Sequence, residues 1–236
     1  MKYLFILFLI FANNFYGQNV RATESLWDLI RSNSNLKYDS ERIEIIKASD
    51  KYNSNQYLIN RLSKNGQRYL YYTVKEGLRK NLPVELSLIP FVESQFDPYA
   101  RSATGASGIW QFIPSTAREN GLKKNWWYDG RRDIVASTEA AYGFLSKLYD
   151  RYGDWLIAIA AYNAGPSRRK KKKEKNKKNG LPTDFWSLNL PRETKAYVPK
   201  ILAIVELIRN PDNFNIQLPF LPNRPYFRII ELPSQV

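Results

Sequence analysis

The chain contains no cysteine, no histidine and a single methionine. The first absence excludes disulfides, thiolate chemistry, cysteine zinc sites and anchoring through an acylated cysteine. The second excludes Ser–His and Cys–His nucleophilic pairs and removes the side chain that most transition metals use. Acid–base chemistry is left to Asp, Glu, Tyr and Lys. The sequence also lacks a phosphate-cradling glycine loop, an internal repeat and any βαβ alternation. We expect no metal and no cofactor.

What is present is globular. With 236 residues, 44% hydrophobic and 25% charged, the chain can bury one good core. Its net charge of +14 suits an anionic partner, whether nucleic acid, anionic lipid or a charged wall polymer, and does not choose among them. Residues 1–18 carry one lysine, an apolar run over 3–12 and a small, polar end. The run is too short to cross a bilayer, so it predicts an export signal and a periplasmic or envelope-associated protein. Membrane association is expected only through an uncleaved signal. Nucleic acid is not an expected partner, because no recognition motif is present and export argues against it.

The patterning predicts a mainly α fold. Apolar residues recur at helical spacing over 24–31 and 55–80, as core-facing helices require. Pro83 suits the first position of a short buried helix over 84–93, with Pro90 bending it or opening a new turn. Asp133 and Asp154 are placed to cap helices over 134–152 and 155–164, the second apolar almost all round and so central. A strong helix is predicted over 193–209, and one short strand over 226–232. The basic run over 167–179 has no apolar face and reads as a solvated loop, with an anion-binding patch as the sharper alternative. The expected organisation is a signal (1–18), an N-terminal helical extension (19–80), a helical domain (81–210) and a Pro-rich tail (211–236).

Chemistry concentrates in residues 84–117. An apolar run ends on Glu93, followed by Ser94, a polar loop, Gly105, Gly108, Trp110 and Gln111. A glutamate held in a dry pocket keeps its proton to higher pH, as a general acid needs. Aromatics in turn-like segments, Trp126, Trp127, Tyr128, Phe185 and Trp186, suit either sugar platforms or core packing. Asp97, Asp129, Asp133 and Glu139 are competing carboxylates; Asp97 before Pro98 reads as a turn residue and Asp133 as a cap.

Four segments occur in order: Glu93-Ser94, Gly105-Ala106-Ser107-Gly108-Ile109-Trp110-Gln111, Ala161-Tyr162-Asn163-Ala164-Gly165 and Glu193-Thr194-Lys195-Ala196-Tyr197-Val198. This set resembles the lytic transglycosylases with a soluble-lytic-transglycosylase-type domain, which share a goose-type lysozyme fold. The segments around Trp127 to Asp133 and Leu181 to Trp186 resemble the membrane-bound D subgroup. The resemblance implies a lysozyme-like helical domain acting on peptidoglycan glycan strands as a monomer. It implies that Glu93 is the acid and then the base in cleavage of the MurNAc–GlcNAc bond to a 1,6-anhydro product. It further implies a hydrogen bond from Ser94 near the acid or substrate, close backbone approach at Gly105 and Gly108, sugar contact by Gln111, Tyr162 and Asn163, and orientation of Glu93 by Tyr197. The subgroup's lipid-bearing cysteine and its LysM repeats have no counterpart here, which leaves wall binding to the groove and the net charge. A lysozyme-type hydrolase and a non-catalytic or weakly active wall-binding remnant are the alternatives.

Overall fold

A computed structural model describes residues 24–164, 176 and 179–230. The expected signal, most of the basic run and the end of the tail lie outside these residues. Among the described residues the regular structure is helical. They contain no named strand, only isolated bridges such as Ser107 with Phe112. The predicted strand over 226–232 does not form over 226–230; a lone extended segment has no ladder partner to satisfy its backbone.

Helix α1, Leu26–Asn33, starts from a capping box in which Ser25 and Asp28 satisfy each other's backbone. Helix α2, Ile43–Ser49, lies between the two predicted helical runs. The single periodic run over 55–80 is two helices, α3 (Gln56–Gly66) and α4 (Leu70–Arg79). Asn55 caps α3, its side chain accepting from Leu58 N at 3.1 Å. The chain breaks beyond Gly66, where an added Cβ would meet the Phe91 ring at 3.0 Å. The apolar stripe continues across the break, so periodicity alone does not reveal it.

The segment expected as one helix over 84–93 is a buried 3-10 turn, Val84–Leu88, followed by α5, Ile89–Glu93. Pro90 causes the change. It has no N–H for the preceding turn and is accommodated in the first turn of α5. Helix α6 is Pro114–Glu119. Asp133 and Asp154 both act as caps, accepting from Ala136 N at 2.8 Å and Ile157 N at 3.0 Å. They open α7, Ile134–Tyr152, and α8, Trp155–Ala164. Helix α7 stops at Gly153 in the left-handed conformation, φ 65°.

The axis of the molecule is α9, Arg192–Arg209. It packs against α1, α2, α5, α8 and the 84–88 turn. Its buried side chains, from Thr194 to Ile208, occupy most of its circumference, as a helix surrounded by others requires. Residues 26–79 share the same hydrophobic core as residues 82–221.

A polar knot ties the N-terminal segment to the far end of α9. Glu85 is fully buried, and its Oε1 accepts from Ser34 Oγ at 2.7 Å, Leu36 N at 2.9 Å and Arg209 Nη2 at 3.3 Å. Arg209 also donates to the Tyr38 hydroxyl at 2.9 Å. Removing the guanidinium would strand a buried carboxylate. Arg209→Met is therefore expected to lower stability by about 3 kcal/mol, read from urea unfolding midpoints. Adding Glu85→Gln should recover part of that loss, because the charge left alone is then gone.

Candidate active site

Glu93 is the last residue of α5, and the chain behind it is held in an uncommon backbone conformation. Gln95 and Phe96 both have positive φ, 55° and 61°, which costs a non-glycine residue about 1 kcal/mol or more. Packing compensates. Phe96 is 2% exposed and meets Phe91 edge-on at 4.8 Å, and its N–H reaches Pro90 O at 3.2 Å. The turn ends α5 abruptly and leaves the Glu93 side chain on a cleft of about 770 Å³.

The facing wall is the loop over 100–112. Gly108 has φ +83°, and a Cβ there would lie 1.8 Å from the Arg131 carbonyl oxygen. The close approach that this glycine permits is thus by the protein's own backbone. Arg131 is 7% exposed and acts as a strut. It donates to Gly105 O at 2.7 Å and Phe112 O at 3.2 Å, while Asp129 grips it at 2.9 and 2.7 Å. Asp129 is held below the usual carboxylate range by this hydrogen-bonded guanidinium.

Trp110 fixes the loop to the core. It is fully buried, donates Nε1–H to Thr138 at 3.0 Å and stands edge-on to Tyr142 at 5.3 Å. Its neighbour Gln111 has φ 49°, lines the cleft and donates to Gly108 O at 2.8 Å. Ser94 is directed elsewhere. Its hydroxyl donates to Ile109 O at 2.9 Å, stitching the end of α5 to the loop, and it does not line the cleft.

Helices α8 and α9 close the site. Tyr162 and Asn163, at the end of α8, both line the cleft. The Tyr162 hydroxyl donates to Trp110 O at 2.7 Å. Asn163 Oδ1 accepts from Thr194 Oγ1 at 3.2 Å. Tyr197, on α9 and buried, donates its hydroxyl to Glu93 Oε1. The structure thus brings Glu93, Gln111, Tyr162, Asn163 and Tyr197 together, and leaves Ser94 and Gly108 as supports behind the wall.

Three further groups belong to the site. Thr194 and Glu193 line the cleft, as does Phe144, whose ring lies 5.6 Å from that of Tyr162. The signal for the first two was helical spacing. Residues three and four before Tyr197 share its face of α9. The competing carboxylates are committed elsewhere: Asp97 accepts from Tyr99 N at 2.8 Å, Asp133 caps α7, and Glu139 pairs with Lys80 at 2.6 Å. Among the described residues, no three His, Cys, Asp or Glu side chains group as metal ligands.

The electrostatics favour the protonated acid. Burial pushes the Glu93 carboxyl up to about 7 from an ordinary 4.5, the Tyr197 hydrogen bond pulls it down, and the Glu193 charge adds a smaller upward push. Burial and the Glu93 charge hold the Tyr197 and Tyr162 hydroxyls well above the ordinary tyrosine value, so both remain donors at neutral pH.

Two outcomes follow from this geometry. Below pH 4.5 the folded and unfolded chains both hold the Glu93 proton, and stability is lost as pH rises through 7. Glu93→Gln should therefore match the native protein in thermal unfolding at pH 4 and exceed it at pH 8 by up to about 3 kcal/mol. Gly108→Ala must displace the Arg131 backbone. It should cost about 3 kcal/mol or more in urea unfolding.

The family model described as the transglycosylase SLT domain matches residues 71–183. Membrane-bound lytic murein transglycosylase D of Escherichia coli K12 is 41% identical over 221 residues, 93% of this chain and 49% of that one. A protein of Alteromonas sp. strain M-1, named for tributyltin chloride resistance, is 36% identical over 177 residues, 74% of this chain and 83% of that one. Among solved structures, an inactive mutant of the lytic transglycosylase Slt from Pseudomonas aeruginosa is 28% identical. It covers 62% of this chain and 24% of its own, with a TM-score of 0.45. The chain thus spans about half the length of the E. coli relative. The SLT match takes in Glu93, Gln111, Tyr162 and Asn163, and identity to the two relatives runs far beyond it, so the chain belongs to the transglycosylase SLT domain family.

Proposed function

We propose that the chain is a lytic murein transglycosylase that cuts the bond between N-acetylmuramic acid and N-acetylglucosamine in peptidoglycan glycan strands. The observation that carries this reading is Glu93, whose carboxyl stays protonated to about pH 7 in a cleft able to hold sugars. Glu93 gives its proton to the glycosidic oxygen as the C1–O bond breaks, and the N-acetylglucosamine leaves with a free 4-hydroxyl. The Glu93 carboxylate then takes the proton from the muramic C6 hydroxyl as that oxygen bonds to C1. The product end is 1,6-anhydro, and the acid is regenerated.

The nucleophile belongs to the substrate, so no water has to be activated and one carboxylate serves both steps. Tyr197 orients Glu93 and steadies its anionic form between the two transfers. Gln111, Tyr162 and Asn163 position the reacting sugars, with Ser94 and Gly108 supporting them through the loop. The work is assigned to residues 81–210, with 19–80 as an N-terminal extension and 211–236 as a tail, in an envelope location reached by export. No described helix is long and apolar enough to cross a membrane.

One feature favours a hydrolytic alternative: the second carboxylate of the lining, Glu193. Mass analysis of muropeptides released from purified sacculi separates the two. Anhydro-muramic ends support the transglycosylase, and reducing ends sink it. Glu93→Gln should lower turnover by about 10²- to 10⁴-fold, the usual contribution of a positioned acid–base group. The native kcat/KM should fall as pH rises through 7, where Glu93 loses its proton. Tyr197→Phe removes the contact that lowers this pKa and should move that fall to higher pH. An unmoved limb would separate Tyr197 from the acid.

A further inference from the structure

Trp126 and Trp127 are 87% and 91% exposed, although each ring would gain roughly 2 kcal/mol or more from burial. The turn that carries them is well tied down. Asn125 Oδ1 accepts from Trp127 N at 2.9 Å and Tyr128 N at 2.7 Å, and Asn125 N donates to Tyr128 O at 2.8 Å. Gly130 N closes the base of the turn on Lys123 O at 2.9 Å. The rings stand nearly perpendicular, 87° apart with centroids at 6.4 Å. A built turn therefore holds two indoles out into solvent.

They border a pocket of about 500 Å³ whose other walls include Arg101, Asn125, Tyr128 and Arg132. This chemistry fits a sugar. A pyranose offers an apolar C–H face to an aromatic ring and a rim of hydroxyl and acetamido groups to amides and guanidinium groups. A lipid surface would be met by apolar side chains around the indoles, and here the surroundings are charged and amide groups. One loop borders both the pocket and the cleft. Arg101 lines the pocket while the next residue, Ser102, lines the cleft. Arg132 Nε donates to Ser107 Oγ at 3.2 Å across the back of that loop.

We propose that the Trp126–Trp127 pocket is an accessory carbohydrate site that holds an N-acetylhexosamine polymer while the cleft acts on another stretch of it. The identity of the polymer rests on the function proposed above; the binding chemistry does not. The site gives the chain a grip on an insoluble substrate that is independent of the reacting bond.

The test is co-sedimentation of the full chain with purified sacculi and with chitin in the cold, across a range of polymer concentrations. Trp126→Ala/Trp127→Ala should weaken both by about tenfold, as expected from losing two ring faces. Trp126→Phe/Trp127→Phe should recover most of the binding. The melting temperature of the alanine variant should be unchanged, since neither ring is in the core, which separates a lost site from a lost fold. Unchanged sedimentation of the alanine variant overturns the proposal. So does a loss seen only with phosphatidylglycerol vesicles, which would make the patch a membrane contact. A Glu93→Gln chain that lysed walls normally would sink the catalytic reading and leave these binding outcomes untouched.

Discussion

The Glu93 carboxyl is taken out of water and kept there by a hydroxyl. Burial alone would drive it further toward the protonated form, whereas the acid-then-base role proposed for it needs the ionised form as well. The Tyr197 hydroxyl opposes burial by stabilising the anion. The balance of the two sets an acid that changes state near neutrality. Most of the fold serves this pairing. Helix α9 runs through the middle of the molecule and carries Tyr197 near its start. The buried 84–88 turn and the short α5 bring Glu93 to meet it.

The wall opposite is held just as firmly, and by non-polar and polar means at once. Trp110 is anchored in α7 by a ring contact and an indole hydrogen bond, and Arg131 braces the loop from behind. Strained backbone collects here, at Gln95, Phe96 and Gln111. Such conformations persist only where the surroundings over-determine them. The core packing of Phe96 and Trp110 is what does so on the two sides of the cleft.

Helical periodicity and caps made much of the fold legible in the sequence. Asp133 and Asp154 cap where their position before apolar runs implied, and the nearly all-apolar α8 is central. Periodicity failed where it is blind: the break between α3 and α4 interrupts no stripe, and α2, at seven residues, is too short to show a repeat. The residues that meet at the cleft stood out in the sequence through the ordered segments and their resemblance to a known family; excluding histidine and cysteine narrowed the chemistry to carboxylates but left Asp97, Asp129, Asp133 and Glu139 beside Glu93. The site's second layer was less legible. Ser94 and Gly108 sit beside the right residues in sequence, yet they face the loop backbone, because a turn of two left-handed residues and the Arg131 carbonyl set their direction. Nothing local in the sequence announces that Arg131 would reach across to Gly105 and Phe112. Long-range struts of this kind are a property of the folded geometry.

Tyr162 carries a consequence for what the cleft can accept. A phenol has one proton to give, and this one is engaged by the Trp110 carbonyl. What its oxygen offers the cleft is lone-pair density. A group meeting that oxygen would have to bring its own N–H or O–H, and a carbonyl placed there would face lone pair against lone pair.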